Sequence, residues 1–327
     1  MEKKPFKSLD EQIELLISRG LVISDKDKAK FYLRTCNYYN LVNGYKEPFV
    51  IKGTDKYIPG VKIGDLKALY DFDEWLRGAL MPLLLSAENT LKTAVTYEFT
   101  KKYGASGYLN ADNFNVYNEK QKESVKRLLS EIERNIEDAL QKKGSRFDCI
   151  KHYEKNYKEI PLWVLCNILT FNNIQWFYSC MKPSDKRDVC KYLYETTNIE
   201  LPNRVLDGVF FLCVDMRNTC AHGQRLYNYT SKIRLPAENI LADKIKTYSG
   251  KRIEISNLFL IPAALCYLMS DKKFTEFLEN FVVKITKIKG DMPLDIFKNI
   301  VSSMRIEFAD FFDVLLGLLA IIGGLPK

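Results

Sequence analysis

Helical periodicity runs through almost the whole chain with little to interrupt it, and this limits the fold more than any single motif does. Only 16 glycines and 11 prolines fall in 327 residues, below the usual combined share of roughly 12%. Apolar residues recur at three- and four-residue spacing rather than alternating. Leu9, Ile13, Leu16 and Ile17 do so behind Ser8-Leu9-Asp10-Glu11, a string that fits a capping box, and Gly20 ends the segment. Ser24 to Asp27 opens a second helix in the same way. Asn37 to Phe49 is an aromatic-rich helix–turn passage, broken at Gly44 and Pro48. A long helical stretch runs from Asp65 to about Lys102, with Pro82 placed to kink it. A polar surface helix over Asn118 to Lys143, an apolar helix from Ile160 to about Met181 and another from Ser184 to about Thr197 continue the series. The expected fold class is all-α, with at most one small hairpin around Tyr57 to Ile63, where Pro59-Gly60 signals a turn. A collagen-like chain, a disordered chain and a sandwich of short strands are excluded. No repeat or Pro/Ser linker is present. The expected organisation is an N-terminal helical region over residues 1–64 and a larger helical domain over 65–327.

Composition bears on the surroundings of the protein. Eight cysteines, none in C-x-x-C spacing and several inside apolar runs, read as reduced thiols of a cytoplasmic protein. The charged start MEKKPFKSLDEQ contains no secretory signal. The most apolar segment, Phe311 to Ile322, is twelve residues long and contains Asp313. A membrane span needs roughly 20 residues, so a buried or partner-facing helix is expected and no membrane association. There is no P-loop, G-x-G-x-x-G, G-x-S-x-G or H-E-x-x-H string, which argues against nucleotide-fuelled motors, dehydrogenases, Ser-triad hydrolases and zinc proteases.

The chemistry concentrates at one helix end. Val205 to Val214 is apolar nearly all round, as a buried helix is. The character then changes abruptly at Asp215-Met216-Arg217-Asn218-Thr219-Cys220-Ala221-His222-Gly223-Gln224-Arg225. The chain has two histidines, His152 and His222. On a regular helix Asn218 and His222 lie ~40° apart and Arg217 and His222 ~140° apart, so Arg217 must curl round or the last turn must loosen. Gly223 is placed to unwind it. An imidazole can exchange a proton with a hydroxyl, a guanidinium can hold a phosphate, and an amide can orient either group. These parts suffice to cleave RNA without a metal or other cofactor, by attack of the 2′-OH on its own phosphodiester; DNA lacks that hydroxyl. An equally simple role for His222 is to cap the helix, where a cation is favoured.

The basic excess is local. The chain carries a net charge of +8, and residues 217–252 hold Arg217, Arg225, Lys232, Arg234, Lys244, Lys246, Lys251 and Arg252 against Glu238 and Asp243. Tyr227, Tyr229 and Tyr248 are interleaved. Cations beside rings suit a single-stranded nucleic-acid track, and Arg225, Tyr227 and the lysines and arginines from 232 to 252 are the candidate RNA contacts. A solvated basic loop is the plainer alternative. A zinc site joining Cys149 and His152 to Cys220 and His222 has nothing to bring its halves together, and no metal is expected. Glu88 and Lys92 fit a surface i,i+4 pair, with a buried Glu88 that steadies Arg217 as the alternative.

These residues resemble a known family, the Abi-like proteins of bacterial abortive infection, the AbiD/AbiF group. The likeness rests on Lys4-Pro5-Phe6, Gln12 to Gly20, Tyr38-Tyr39-Asn40-Leu41 with Gly44-Tyr45 and Pro48-Phe49, Leu162-Trp163, and Leu169-Thr170-Phe171. Its most specific part is Met216 to His222 followed by Arg225-Leu226-Tyr227-Asn228, which is similar to the R-N-x-x-x-H signature of HEPN-superfamily ribonucleases. The resemblance implies a HEPN helical bundle with an added N-terminal region. It further implies Arg217 and His222 as the catalytic pair with Asn218 in support, and a homodimer whose active sites borrow from both chains. It also implies an antiphage role, and a bound small non-coding RNA as in some members. It does not reach the apolar tail after Ser303. An endoribonuclease, a non-catalytic RNA-binding protein and a helical interaction scaffold are the competing expectations.

Overall fold

A computed structural model describes residues 5–231, 246, 258–269 and 272–324. The described residues form α-helices and short helical turns, with two isolated β-bridges and no sheet. The long helix α3 (Ile63–Tyr103), 41 residues, is the central element. At ~1.5 Å per residue it spans about 60 Å. It starts where the Asp65 carboxylate accepts the Lys62 N–H at 2.8 Å, and it continues through Pro82. Its apolar stripe, Leu66, Leu69, Leu76, Leu80, Leu83 and Ala87, is buried.

Ahead of it lie α1 (Leu9–Ser18), with the capping box of Ser8 and Glu11, and α2 (Lys26–Cys36), capped by Asp25. A π-helical turn at Tyr39–Asn43 and a tighter turn at Glu47–Phe49 follow. After α3 come α4 (Glu119–Gln141), α5 (Asp148–Tyr157), α6 (Leu162–Leu165), α7 (Phe171–Cys180), α8 (Pro183–Thr197) and α9 (Asn203–Ala221). The C-terminal part holds α10 (Leu260–Leu265), α11 (Lys272–Asp291), α12 (Leu294–Ser303) and α13 (Phe308–Gly324). The most extensive helix pairing is α3 against α9. One apolar core runs without a break from Ile13 in α1 to Leu318 in α13. The chain's end returns to its beginning: α12 packs on the Glu47–Phe49 turn, and the Asn299 amide donates to Pro48 O at 3.1 Å.

Two expectations need correction. The helix expected from Ile160 to Met181 is two helices, because Thr170 and Asn173 form a capping box that starts α7 afresh. The hairpin around Pro59-Gly60 does not form. Those residues make a turn closed by Val61 N–H to Ile58 O at 3.2 Å, with Gly60 at φ +85°. The bridges pair Val50 with Tyr57 and Val22 with Lys62 instead.

The apolar tail is the amphipathic helix α13, with Phe311, Val314, Leu315 and Leu318 buried and Phe312, Leu316 and Leu319 partly exposed. Among the described residues no helix is long and apolar enough to cross a membrane. All eight cysteines are free thiols.

Candidate functional site

The helix end that carries the polar string is built by a Schellman motif. His222 caps α9, Gly223 takes φ +62°, Gly223 N–H donates to Cys220 O at 3.2 Å and Gln224 N–H to Thr219 O at 3.0 Å. That double bond satisfies the last carbonyls and turns the chain sharply. Gly223 ends the helix as the sequence suggests, and His222 is left exposed.

The loop beyond is locked from below by a residue that the sequence reading passed over. Asp73 on α3 is fully buried. Its carboxylate accepts from the Tyr45 hydroxyl at 2.6 Å, Leu226 N–H at 3.0 Å, Tyr227 N–H at 2.5 Å and the Arg77 guanidinium. Burial pushes the Asp73 carboxyl above its ordinary range, and these four donors pull against that shift. Arg77 also donates to Gln224 O at 3.3 Å, and Arg225 donates to Gly44 O at 2.5 Å. The segment after His222 is thereby fixed to both α3 and the π-helical turn.

Arg217 faces elsewhere. Its Nε lies 3.4 Å from Glu88 Oε2, out of line for a hydrogen bond, and its Nη1 donates to Asn218 Oδ1 at 3.3 Å. Glu88 is buried and also pairs with Lys92 at 2.8 Å, whose ammonium donates to Leu169 O at 3.1 Å. The surface i,i+4 pair expected of Glu88 and Lys92 is therefore a buried cluster that reaches Arg217. One carboxylate is shared by two cations, so among the described residues this cluster carries a spare positive charge. The outer part of that charge sits on Arg217, whose side chain is 34% exposed. Replacing Glu88 by alanine is expected to cost about 1.5–3 kcal/mol, because two partly buried cations lose their anion. Denaturant unfolding measures it, and an unchanged midpoint would show the cluster to be idle.

A hollow of about 640 Å³ opens beside His222. Arg77, Arg225, Gln224, Asn228, Tyr229, Tyr39, Asn40 and Asn43 are among the residues that line it, and Arg217 and Asn218 are not. Within one chain the arginine and histidine thus lie on different faces of the helix end, as the ~140° offset implies.

The candidate RNA contacts separate in the same way. Arg225 is exposed at the hollow and Lys246 is exposed. Lys232, Arg234, Lys244, Lys251 and Arg252 lie outside the described residues, as does Tyr248. Tyr227 is a correction: its ring is fully buried and stacked on Tyr45 at 5.6 Å, so no base can stack on it. Tyr229 is half-buried, with its hydroxyl donating to Asp215 Oδ2 at 2.5 Å. Burial pushes the Cys220 thiol up to about 11, so it is a thiol rather than a thiolate beside His222. Among the described residues no three His, Cys, Asp or Glu side chains gather as metal ligands.

Fold and site together define an all-α protein in which a largely buried helix, α9, ends on a polar hollow rimmed by cations and aromatic rings. A family model for Abi-like proteins matches residues 31–228. The chain belongs to the Abi-like protein family, and that membership points to an abortive-infection function. The matched span takes in the π-helical turn, Asp73, Glu88, Arg217 and His222, and it stops before the C-terminal helices. No curated protein and no solved structure matches the chain.

Proposed function

We propose that the protein is a metal-independent endoribonuclease of cytoplasmic phage defence, of the HEPN type, acting as a homodimer. The observation that carries this reading is the exposed His222, on a helix end whose main chain is fixed, beside a polar hollow of about 640 Å³, with a partly exposed Arg217 five residues before it on the same helix. His222 takes the proton of a ribose 2′-OH. The freed oxygen attacks the adjacent phosphorus and forms a 2′,3′-cyclic phosphate. The bond to the 5′ oxygen breaks, and the imidazolium returns the proton to that oxygen. A guanidinium steadies the charge that grows on the phosphate. Arg225 already lines the hollow; Arg217, which does not line its own chain's hollow, joins it at the phosphate from the second copy, with the two helix ends facing across a two-fold axis. Asn218 holds Arg217 in orientation through the bond at 3.3 Å.

Labelled RNA and the same sequence as DNA, each incubated with protein in EDTA, test this. RNA is expected to be cut to 2′,3′-cyclic phosphate ends and DNA to stay whole. Cleavage of both, or cleavage only with a divalent metal, would overturn it.

A second reading, RNA binding without cutting, is favoured by the same separation of Arg217 from the hollow. The protein then holds a small non-coding RNA of its own. It predicts RNA of discrete length that co-purifies, a binding strength that falls steeply with salt, and intact substrate in the assay above.

A further inference from the structure

The sequence places the chemistry at residues 217–222, yet much of the wall opposite His222 comes from the far N-terminal part of the chain. Tyr39, Asn40 and Asn43 sit on a π-helical turn, an uncommon geometry that tends to mark functional sites. It is entered through Asn37, a non-glycine residue at φ +66°, whose side chain accepts from Tyr39 N–H at 2.8 Å. Backbone held in such conformations is kept by its surroundings, and here they are explicit. Leu41, Val42 and Tyr45 are buried beneath the turn, and Arg225 bolts Gly44 O to the loop after His222. On this fixed base Tyr39 stands 70% exposed, and the amides of Asn40 and Asn43 are exposed beside it. An exposed ring on a fixed turn, next to amides that each carry both donors and acceptors, matches the demands of an unpaired base: a face to stack on and groups to meet its edge. Arg225 keeps further N–H donors beyond the one given to Gly44, and it shares the hollow with His222, where a phosphate would lie.

We propose that the π-helical turn is a base-reading subsite. One unpaired ribonucleotide of an RNA strand seats its base against Tyr39, Asn40 and Asn43, and its phosphate at Arg225 and His222. This rests on the RNA reading above and adds to it the wall that sets sequence preference.

The test uses the full chain, a fluorescein-labelled 12-nucleotide RNA in random and homopolymer forms, and the four ribonucleoside monophosphates. Tyr39→Ala is expected to weaken binding of the random strand about 5- to 100-fold, the usual worth of one stacked base. Tyr39→Trp is expected to bind like the wild type. The double variant Asn40→Ala/Asn43→Ala is expected to lose the ranking among the homopolymers. Unchanged melting of each variant reports that the fold is intact. Wild-type protein that binds RNA while Tyr39→Ala and Asn40→Ala/Asn43→Ala both match its affinity and its ranking would overturn the base-reading site and leave the RNA reading standing. No binding of any RNA by the wild type would overturn both. Monophosphates that bind more tightly than the strand would overturn the strand assignment in favour of a free-nucleotide pocket.

Discussion

Truncating Asp73 to alanine is expected to lower stability by about 3–5 kcal/mol, the usual consequence of leaving a buried cation without its partner. For a chain of this size that corresponds to a fall of roughly 4–7 °C in Tm. The size follows from what the carboxylate does. It accepts from Tyr45, Arg77, Leu226 N–H and Tyr227 N–H while fully buried. Alanine leaves all four donors facing an apolar gap. Two of them are backbone groups that cannot turn away without unseating the loop. Arg77, with a side chain only 12% exposed, would keep its charge and lose its anion. Tyr45→Phe, which removes one donor and leaves the rest, is expected to cost about 1 kcal/mol. Thermal or denaturant unfolding separates the two variants. An Asp73→Ala protein that melts with the wild type would mean that the loop after His222 is held by something else. If the loop is held as described, Asp73→Ala also disturbs the hollow, and RNA binding should fall along with stability.

The second large effect concerns activity and should leave stability alone. His222 is exposed and caps its helix through the main chain, so His222→Ala is expected to melt normally. Loss of a general base or acid usually costs about 10²–10⁴-fold in rate. On the proposed mechanism Arg217→Ala is expected to lose a comparable factor, through loss of charge stabilisation at the attacked phosphate. In a site shared between two copies these losses fall on different chains, so one variant can make good what the other lacks.

The extent to which the chain discloses this layout varies with the physics involved. Helix starts are local, so Ser8 with Glu11 and the Gly223 stop are readable from neighbouring residues alone. The buried character of Val205 to Val214 is likewise visible, because a helix apolar on every side has only one place to go. The break between α6 and α7 is less visible, since Thr170 and Asn173 are small polar residues inside an apolar run and their mutual capping is evident only in the folded chain. Asp73 is hard to see in the sequence for a different reason. It sits on the stripe Leu66, Leu69, Asp73, Leu76, Leu80 at heptad-like spacing, and a lone carboxylate among buried leucines is the signal that could have found it. Glu88 repeats the pattern between Leu84 and Leu91. The hollow itself depends on contacts between residues that are 181 positions apart, such as Arg225 and Gly44. No periodicity encodes such a meeting. Tyr227 illustrates the converse error: alternation of tyrosines with basic residues suggests a stacking track, but one ring of the series is the floor of the core.

The proposed division of labour between Arg217 and His222 is tested most directly by mixing the two variants, each expected to be inactive alone. Arg217→Ala and His222→Ala chains, unfolded and refolded together, should form mixed dimers in half of the population. In each mixed dimer one of the two sites combines an intact Arg217 from one chain with an intact His222 from the other. RNA cleavage in EDTA is therefore expected to return to about one quarter of the wild-type rate. A mixture that stays as inactive as either variant, although the chains have exchanged, would contradict a site shared between two copies.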